Sequence, residues 1–475
     1  MNLENRLLIG NSWKETKEKI AVKNPYNGEV ISEVYYGAMP EIEEAISAAR
    51  KAFKTMREMP AFKRAEILKK TAEIIAKNKE DFARLISLEA GKPVSAARAE
   101  VNRSVTTFLL AAEEATRITG ELIPLDISAA AGNRIGITRR FPIGVVAAIT
   151  PFNFPLNLVA HKIAPALAAG NSVVHKPSSS TPLTALKLGE ALLEAGMPEG
   201  AVNVVPCSGK FAESLVTDDR IAMISFTGSP VVGWGIKSRA GKKKVALELG
   251  GNAAVVIEPD SDINVSAARC AAGGYAYSGQ VCISLQRIYV HEKIYKVFKA
   301  VFVEKVKEIK TGDPALDDTV VGPLITEEEL KRVDEWISEA EQAGGKILTG
   351  GEQKGNIYLP TVLEDVPKHA RCVKDEMFGP VTVLFPYSDF DAVLDEVNDS
   401  VYGLQAGVFT RDMGKALKAF NRIEAGGVMI NEVPTFRVDN FPYGGIKNSG
   451  FGREGVKYAV EEMTEIKILV IDNII

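Results

Sequence analysis

Apolar residues recur at helical spacing over the first quarter of the chain and then give way to short, continuous apolar runs. From residue 40 to about 117 the sequence is rich in alanine, with apolar positions three and four residues apart and few breakers before Gly91. This pattern is typical of successive amphipathic helices. Residues 24–31, which precede them, predict a turn flanked by strand-like apolar residues.

Between residues 144 and 206 the apolar runs 145–149, 172–175 and 202–205 alternate with helical patterns over 156–169 and 183–195. Buried strands separated by helices predict βαβ units, a parallel sheet and a nucleotide-binding type of layout. A second alternation follows, with strands predicted over 253–257, 287–290 and 382–385 and a charged helix over 293–310. It predicts a second α/β domain.

Two segments stand apart from these alternations. Residues 120–140 are polar and strand-like, and the tail, residues 463–475, contains the apolar run 466–471. An exposed apolar edge strand promotes aggregation unless another strand covers it. The tail is therefore predicted to pair with another strand, with a second subunit as the favoured source, and a monomer at micromolar concentration would contradict this.

Chain length, composition and net charge narrow the class of protein. The chain has 475 residues, more than one hydrophobic core organises, so two or more domains are expected. Apolar residues make up 46% and charged residues 25%, and the net charge of −4 offers no basic surface for nucleic acid or membrane. The sequence shows neither a membrane-spanning run nor a signal peptide. A cytoplasmic protein with a small-molecule ligand is expected.

The four cysteines, Cys207, Cys270, Cys282 and Cys372, show neither a C-x-x-C spacing nor a dense disulfide framework. Reduced thiols are expected. The four histidines are isolated from one another and from the cysteines, which argues against a metal site and against a histidine-based catalytic triad.

The most informative pair is Glu248, in Glu-Leu-Gly-Gly, and Cys282, in Gly-Gln-Val-Cys, which lie 34 residues apart. A thiolate attacks carbonyl carbon, and a carboxylate takes a proton from a thiol or from water. The pair indicates covalent chemistry on an aldehyde or acyl group. Taken alone, it is also compatible with a buried thiol and a surface carboxylate.

Three further segments place polar residues where predicted strands end. Gly228, in Phe-Thr-Gly-Ser before a helix, would let the backbone approach a phosphate at a helix N-terminus. Lys176, before a proline, could bond ribose hydroxyls or a phosphate, and Asn153, between two prolines, could aim its amide at an oxyanion. The plainer alternatives are a strand-to-helix turn, a solvated lysine and a turn-capping asparagine.

Taken in order, these segments resemble the NAD(P)-dependent aldehyde dehydrogenase superfamily, and among its members archaeal lactaldehyde and small-semialdehyde dehydrogenases. The resemblance covers nearly the whole chain and rests on seven motifs: 151–155 (Pro-Phe-Asn-Phe-Pro), 176–178 (Lys-Pro-Ser), 226–229 (Phe-Thr-Gly-Ser), 248–251 (Glu-Leu-Gly-Gly), 279–282 (Gly-Gln-Val-Cys), 376–380 (Glu-Met-Phe-Gly-Pro) and 442–450 (Pro-Tyr-Gly-Gly-Ile-Lys-Asn-Ser-Gly).

The resemblance implies an α/β, aldehyde dehydrogenase-like fold in three parts. A Rossmann-like cofactor domain would comprise residues 1–115 and 141–247, and an α/β catalytic domain residues 248–453. A small β oligomerisation element would join residues 116–140 with 454–475, in a homodimer or homotetramer.

The resemblance also implies roles for individual residues. Cys282 would attack the aldehyde, Asn153 and the backbone N–H of Cys282 would hold the oxyanion, and Glu248 would activate the water that hydrolyses a thioester. The implied contacts with NADP or NAD are Lys176 and Glu376 to the riboses, Gly228 and Ser229 to the pyrophosphate, and Phe378 near the nicotinamide ribose.

Departures from the family pattern refine these expectations. Ser179 stands where many NAD-preferring relatives have a glutamate that would repel a 2′-phosphate, which predicts that NADP is accepted at least as well as NAD. Val281 stands where relatives that oxidise phosphorylated glyceraldehyde have arginine, which argues against a phosphorylated substrate.

Arg437 lies on the segment that borders the substrate mouth in the family and could receive a carboxylate or hydroxyl of a small aldehyde. Its alternative is a local pair with Asp439. The implied reaction is oxidation of an aldehyde such as lactaldehyde, glyceraldehyde or succinate semialdehyde to the acid. The alternatives are a non-phosphorylating glyceraldehyde-3-phosphate dehydrogenase, a cofactor-independent cysteine esterase and a nucleotide-binding scaffold without chemistry.

Overall fold

The computed structural model describes residues 4–472. Residues 1–3 and 473–475, the ends of the predicted cofactor domain and oligomerisation element, lie outside the described residues. The α-helices are α1 (Met39–Glu58), α2 (Ala61–Lys77), α3 (Lys79–Ala90), α4 (Val94–Ala115), α5 (Asn157–Ala169), α6 (Pro182–Glu194), α7 (Gly209–Thr217), α8 (Pro230–Arg239), α9 (Ile263–Tyr275), α10 (Glu292–Lys307), α11 (Glu327–Gln342), α12 (Arg371–Lys374), α13 (Phe390–Asn398), α14 (Met413–Arg422) and α15 (Val456–Glu462).

The strands are β1 (Leu7–Ile9), β2 (Ser12–Lys14), β3 (Glu18–Lys23), β4 (Val30–Tyr36), β5 (Leu122–Pro124), β6 (Arg134–Pro142), β7 (Val145–Ile149), β8 (Ser172–Lys176), β9 (Val202–Val204), β10 (Ile221–Thr227), β11 (Lys244–Glu248), β12 (Ala253–Ile257), β13 (Leu285–His291), β14 (Lys346–Thr349), β15 (Gln353–Lys354), β16 (Ile357–Tyr358), β17 (Thr361–Glu364), β18 (Val381–Tyr387), β19 (Tyr402–Gly403), β20 (Gln405–Phe409), β21 (Gly427–Ile430), β22 (Ile446–Lys447), β23 (Gly450–Phe451) and β24 (Thr464–Asp472). Two 3-10 turns, Ala129–Ala131 and Ala276–Gly279, complete the regular elements.

The first large sheet has eight strands in the order β2-β1-β9-β8-β7-β10-β11-β23. Its strands β9, β8, β7, β10 and β11 are parallel, so their carboxyl ends meet at one edge. There Ile149 pairs with Lys176, and Thr227 pairs with Glu248. The antiparallel strand β23 closes the sheet beside Glu248.

Continuous apolar runs form these strands because helices cover both faces of the sheet. Val146 and Val173 pack on one face against α2 to α6, and Ala147 and Val174 pack on the other against α1, α7 and α8. Each strand therefore buries alternate side chains in two separate cores. This layer holds the strand ends, from which the functional side chains project, in fixed positions.

The second large sheet has seven strands in the order β14-β17-β18-β13-β12-β20-β21, all parallel except β14. Strand β12 has the predicted bounds, and β13 and β18 extend one or two residues beyond their predicted bounds at each end. Helices α9 and α10 pack on one face and α11, α13 and α14 on the other. The predicted second α/β layer is thus present.

The tail strand β24 pairs with β6 of the same chain over nine positions, from Thr464 opposite Pro142 to Asp472 opposite Arg134. The prediction of a partner strand is confirmed, but the favoured source, a second subunit, is corrected for this edge. Residues 134–142 supply an edge of matching length immediately before β7. The outer edge of β24 has no strand partner within residues 4–472, and Ile466 is 58% exposed on it.

No helix in the described part of the chain is long and apolar enough to cross a membrane. The boundaries of the cofactor domain, the catalytic domain and the oligomerisation element stay predictions.

Candidate active site

The loop that carries Cys282 has an unusual backbone. It follows α9 through a 3-10 turn in which Tyr277 and Ser278 have φ of 49° and 56°, and Gly279 has φ of 71°. A Cβ atom at Gly279 would collide with the carbonyl oxygen of Gly379. Only glycine allows this approach, so the cysteine loop is held directly against the loop that follows Phe378.

The Cys282 thiol is half-buried, and its Sγ lies 3.1 Å from the Tyr443 hydroxyl oxygen. Burial raises the pKa of the thiol to about 11, and the Tyr443 hydrogen bond and the positive charge of Arg437 oppose this rise. The resting cysteine is therefore a neutral thiol near pH 7, and a base is needed to form the nucleophile.

Glu248 is the last residue of β11, and its side chain is buried. Burial raises its pKa well above the ordinary range, and the negative charge of Glu454 raises it further. One carboxyl oxygen, Oε2, has no hydrogen-bond partner in the structure. A buried, unpaired carboxyl group with a raised pKa has the properties of a general base.

Asn153 lies in the loop after β7 and is also buried. Its Nδ2 donates to the carbonyl oxygen of Gln280 at 2.9 Å, which ties it to the cysteine loop two residues before Cys282. Its Oδ1 has no hydrogen-bond partner. The second N–H of the amide remains available to a ligand, as an oxyanion donor requires.

A cavity of about 310 Å³ brings most of the predicted residues together. The predicted residues that line it are Asn153, Gly228, Ser229, Glu248, Cys282, Glu376 and Phe378. Lys176, Ser179 and Arg437 are not among its lining residues. Arg332 and Trp336 of α11 also line the cavity and were not predicted from the sequence.

One wall of the cavity fits a dinucleotide phosphate. Ser229 caps α8 without a side-chain hydrogen bond to the helix, so the first N–H groups of α8 are available to an anion. A Cβ atom at Gly228 would run into the ring of Phe226, and Thr227 Oγ1 is buried without a partner. Backbone can approach a phosphate closely here.

Glu376 and Phe378 also line the cavity. Glu376 accepts a hydrogen bond from the Gly251 backbone N–H at 3.0 Å, and burial raises its pKa to about 7. Phe378 has φ of 45°, and its ring meets that of Phe152 edge-on at 6.1 Å between centroids. The cavity therefore also offers a carboxylate for ribose hydroxyls and an aromatic surface, which fit a nicotinamide cofactor.

Lys176 and Ser179 lie at and beyond the end of β8, next to β7. Lys176 Nζ donates to the carbonyl oxygen of Pro177 at 2.9 Å, and burial lowers the pKa of this amine. Ser179 Oγ lies 2.7 Å from the Tyr36 hydroxyl and lines a second cavity of about 560 Å³. The structure thus places these two residues outside the lining of the main cavity.

Arg437 is buried, with 7% of its side chain exposed, and Nη2 lies 3.1 Å from Glu454 Oε2. Its guanidinium stacks on the ring of Tyr443 at 3.6 Å from the centroid, and its Nε has no partner. The alternative of a local pair with Asp439 is wrong. The Asp439 carboxylate turns away to Arg103 and His161, at 2.7 and 2.8 Å.

Glu454 also accepts a hydrogen bond from Lys162 Nζ at 2.8 Å. We call Lys162, Glu454 and Arg437 the ion-pair cluster. Burial raises the pKa of Glu454, but the charges of Lys162 and Arg437 outweigh it and bring the value to about 2. Lys162 and Tyr443 were not predicted as site residues, although a single lysine inside the apolar run that forms α5 was a usable signal.

The comparisons with known proteins agree on one family. The profile described as "Aldehyde dehydrogenase family" matches residues 13–469. The 3-sulfolactaldehyde dehydrogenase of Priestia megaterium is 44% identical over 467 residues, which are 98% of each chain. The lactaldehyde dehydrogenase of Methanococcus aeolicus is 41% identical over 472 residues, covering 98% of this chain and 100% of the relative.

Two solved structures are similar over nearly their whole length. Aldehyde dehydrogenase 21 of Physcomitrella patens, solved with the reaction product succinate, has a TM-score of 0.96 and 45% identity and covers 99% of this chain and 98% of that one. The glyceraldehyde-3-phosphate dehydrogenase of Methanocaldococcus jannaschii, complexed with NADP, has a TM-score of 0.92 and 41% identity, with coverage of 96% and 100%. The fold class predicted from the seven motifs is confirmed.

Proposed function

The chain belongs to the aldehyde dehydrogenase family, and from this premise we propose that it oxidises a short aldehyde with a hydroxyl or anionic tail to the carboxylic acid. The substrate class is that of lactaldehyde, glyceraldehyde and succinate semialdehyde, and the cofactor is NADP or NAD. The observation that supports this most directly is the convergence of Cys282, Glu248 and Asn153 on one cavity of about 310 Å³.

The first step forms a covalent bond between Cys282 and the substrate. The thiol loses its proton to Glu248, and Sγ adds to the aldehyde carbon to give a thiohemiacetal. The free N–H of Asn153 and the backbone N–H of Cys282 hold the oxyanion. Each such donor lowers the barrier by roughly 2.7 to 4 kcal/mol in comparable sites.

When bound, the nicotinamide supplies the acceptor for the hydride that leaves the thiohemiacetal carbon, so that a thioester remains on Cys282. Gly228, Ser229 and the N-terminus of α8 would hold the pyrophosphate, and Glu376 would bind a ribose. Phe378 would pack beside the nicotinamide ribose. Lys176, at the end of β8, would bind the adenosine ribose.

Hydrolysis of the thioester needs a base beside Cys282. Glu248 first releases the thiol proton to solvent and then takes a proton from water, and the resulting hydroxide attacks the acyl carbon and releases the acid and the Cys282 thiolate. Because Glu248 Oε2 has no hydrogen-bond partner among residues 4–472, the carboxylate is free to accept that proton. Its raised pKa makes it a stronger base than an ordinary glutamate.

Arg437 supports a substrate with an anionic tail. Its Nε has no partner, and a single tyrosine side chain separates its guanidinium from the reacting sulfur. The names of two similar proteins, 3-sulfolactaldehyde dehydrogenase and a structure holding succinate, point to short chains ending in an anion. A third similar protein is named glyceraldehyde-3-phosphate dehydrogenase, so glyceraldehyde 3-phosphate is a second candidate substrate, although Val281 argues against a phosphorylated one.

The test compares kcat/KM for succinate semialdehyde, lactaldehyde, glyceraldehyde, glyceraldehyde 3-phosphate and uncharged butanal, in wild type and Arg437→Gln. Charged hydrogen bonds contribute about 1.5 to 3 kcal/mol, so the ratio of anionic substrate to butanal should fall roughly 10- to 100-fold. Arg437→Lys, which keeps the charge, should restore part of the ratio. An unchanged ratio would remove Arg437 from substrate recognition, and no turnover with any aldehyde would refute the proposed function.

Cofactor preference is a separate proposal, that NADP is accepted at least as well as NAD. Position 179 carries a serine and not a carboxylate, and the Ser179 hydroxyl forms a hydrogen bond with the Tyr36 hydroxyl. We expect Ser179→Glu to weaken NADPH binding roughly tenfold or more through repulsion of the 2′-phosphate, and to leave NADH binding unchanged. Ser180→Glu is the matched control. Fluorescence titration measures both affinities, and a hundredfold preference of the wild type for NAD would contradict the proposal.

We also propose the three-part division of the chain and a cytoplasmic homodimer or homotetramer. The apolar outer edge of β24 supports this, with Ile468 49% and Leu469 57% exposed. Sedimentation velocity of the full chain tests it, and a monomer at micromolar concentration would exclude it.

A further inference from the structure

Tyr443 contacts the reacting atom of the site. Its hydroxyl oxygen lies 3.1 Å from Cys282 Sγ, and no other side chain described by the structure forms a hydrogen bond with this sulfur. The side chain is buried, with 3% of its surface exposed. Its hydroxyl makes no other hydrogen bond in the structure, so the contact with Sγ is the one polar interaction that determines where it points.

The surroundings hold the hydroxyl in place. The backbone of Tyr443 pairs with that of Glu454 through hydrogen bonds of 3.0 and 2.6 Å. The ring packs with Ile283 and Leu404, and the guanidinium of Arg437 covers it at 3.6 Å. Tyr443 is thus held by its backbone and by contacts to the edge and face of its ring. It has little freedom to turn the hydroxyl away from Cys282.

The direction of the hydrogen bond follows from the charges. Burial raises the pKa of the Tyr443 hydroxyl well above its ordinary value, and the neighbouring Cys282 raises it further. The hydroxyl therefore keeps its proton when the cysteine loses its own, and towards a thiolate it can act only as donor. The Arg437 cation against the ring draws electron density from the phenol and strengthens that donor.

We propose that Tyr443 is a catalytic residue that donates a hydrogen bond to the Cys282 thiolate and makes the half-buried cysteine easier to ionise. The thiol proton passes to Glu248, Sγ uses its lone pair to bond the aldehyde carbon, and the tyrosine keeps its proton throughout. When the thioester is hydrolysed, the thiolate returns to the same hydrogen bond. This role rests on the proposed reaction at Cys282.

The site offers no obvious substitute for this donor. Asn153 Nδ2 already donates to Gln280, and its remaining N–H is assigned to the oxyanion of the substrate. Arg437 acts on the sulfur through its charge, without a hydrogen bond to it. Without the tyrosine hydroxyl, the thiolate would sit in a buried pocket with its charge balanced only at a distance, which disfavours ionisation.

The test measures the pKa of the cysteine directly. Alkylation of Cys282 by iodoacetamide is followed by mass spectrometry across pH without aldehyde or cofactor, in wild type and Tyr443→Phe. The phenylalanine keeps the ring and its packing. Since hydrogen bonds to charged groups contribute about 1.5 to 3 kcal/mol and one pKa unit corresponds to 1.36 kcal/mol, the thiol pKa should rise by about one to two units.

At pH 8 alkylation of the variant should therefore be roughly 10- to 100-fold slower. Tyr275→Phe is the matched control, because that buried hydroxyl bonds Thr361 and Thr382 instead, and it should leave the thiol pKa unchanged. An unchanged pKa in folded Tyr443→Phe would overturn the proposal, as would an altered KM without any change in the alkylation profile.

A second variant keeps the test decisive if the phenylalanine protein does not fold. Placing 3-fluorotyrosine at position 443 retains the shape and strengthens the donor, so the thiol pKa should move in the opposite direction, downward. No movement would contradict the proposed hydrogen bond. Alkylation needs neither aldehyde nor cofactor. A lack of turnover with every aldehyde would therefore refute the proposed function but leave the measured effect of Tyr443 on the thiol pKa unchanged.

Discussion

The reaction cavity and the ion-pair cluster both bury a glutamate, and the two glutamates behave in opposite ways. Glu248 in the cavity has no cation bound to it, and its pKa is raised well above the ordinary range. Glu454 in the cluster touches Lys162 and Arg437, and its pKa falls to about 2. Burial by itself therefore does not decide whether a carboxyl group ionises, and the bound cations do.

The unpartnered polar atoms separate the two regions further. In the cavity, Asn153 Oδ1, Thr227 Oγ1 and Glu248 Oε2 are buried without a hydrogen bond, whereas both carboxyl oxygens of Glu454 are bonded. Each unsatisfied group costs about 1 to 3 kcal/mol. The cavity is thus built to be completed by ligands, whereas the carboxylate of the cluster is satisfied within the chain and Arg437 Nε is left without a partner.

The largest effect should come from removing the reactive group of the cavity. Cys282→Ala should lower kcat by a factor on the order of 10⁴ to 10⁶, the range for loss of a nucleophile or its activation. Cys270→Ala, a buried cysteine in α9, is the control and should keep full activity. Steady-state formation of the reduced nicotinamide is the measurement, and residual turnover above one per cent would place the nucleophile elsewhere.

Glu248→Gln removes the base for both proton transfers, so it should slow the ionisation of Cys282 as well as hydrolysis of the thioester, with kcat lowered roughly 10²- to 10⁴-fold. Stopped-flow absorbance should show that the first turnover is slowed together with the steady state. An unchanged first turnover would mean that another group takes the thiol proton, and an unchanged kcat would mean that another group activates the water.

Glu454→Gln disrupts the ion-pair cluster and should lower the stability of the protein. Removing the anion leaves Lys162 and Arg437 buried without compensation, which should lower the free energy of unfolding by about 3 to 5 kcal/mol. Because the pKa of Glu454 is lowered from 4.5 to about 2 in the folded state, its contribution is present above pH 4.5 and is lost as the pH falls toward 2. Urea unfolding at pH 7 and in acid should show the two proteins converging at low pH.

The smallest effect is a shift in the pH profile. Glu248 must be ionised to act as base, so kcat for a substrate limited by hydrolysis should rise with pH through its raised pKa. The charge of Glu454 contributes to that rise. In Glu454→Gln the acid limb of the pH profile should therefore move to lower pH by about one unit. An acid limb at the same pH in both proteins would show that the carboxyl groups of Glu248 and Glu454 do not interact.

Strands and reactive residues were the most predictable features. Residues 145–149 and 253–257 have the predicted bounds, because a β-branched run buried on both faces leaves little other choice. Cys282 and Glu248 stood out because glycine-rich segments surround them. What joins them could not be predicted: Tyr443 reaches Cys282 across 161 residues, and no periodicity records such a contact.

The partner of Arg437 shows the same limit at short range. Asp439 is two residues away and was the expected alternative, yet the arginine pairs with Glu454, seventeen residues on. Nearness in sequence was a poor guide because Asp439 is bonded instead to Arg103 of α4 and His161 of α5. The tail partner was misjudged for a similar reason, since the edge of β6 is visible only once the sheet is assembled.

Strand β23 sets the order in which the enzyme can become active during its synthesis. Glu248 lies on β11, whose outer side is closed by residues 450–451, some 200 positions later. Ribosomes add about 5 to 20 residues per second, so the nascent chain carries Glu248 on an open sheet edge for many seconds. A chain that stops before residue 450 would contain the nucleophile, the base and the phosphate loop, and still lack the strand that closes the sheet beside the base.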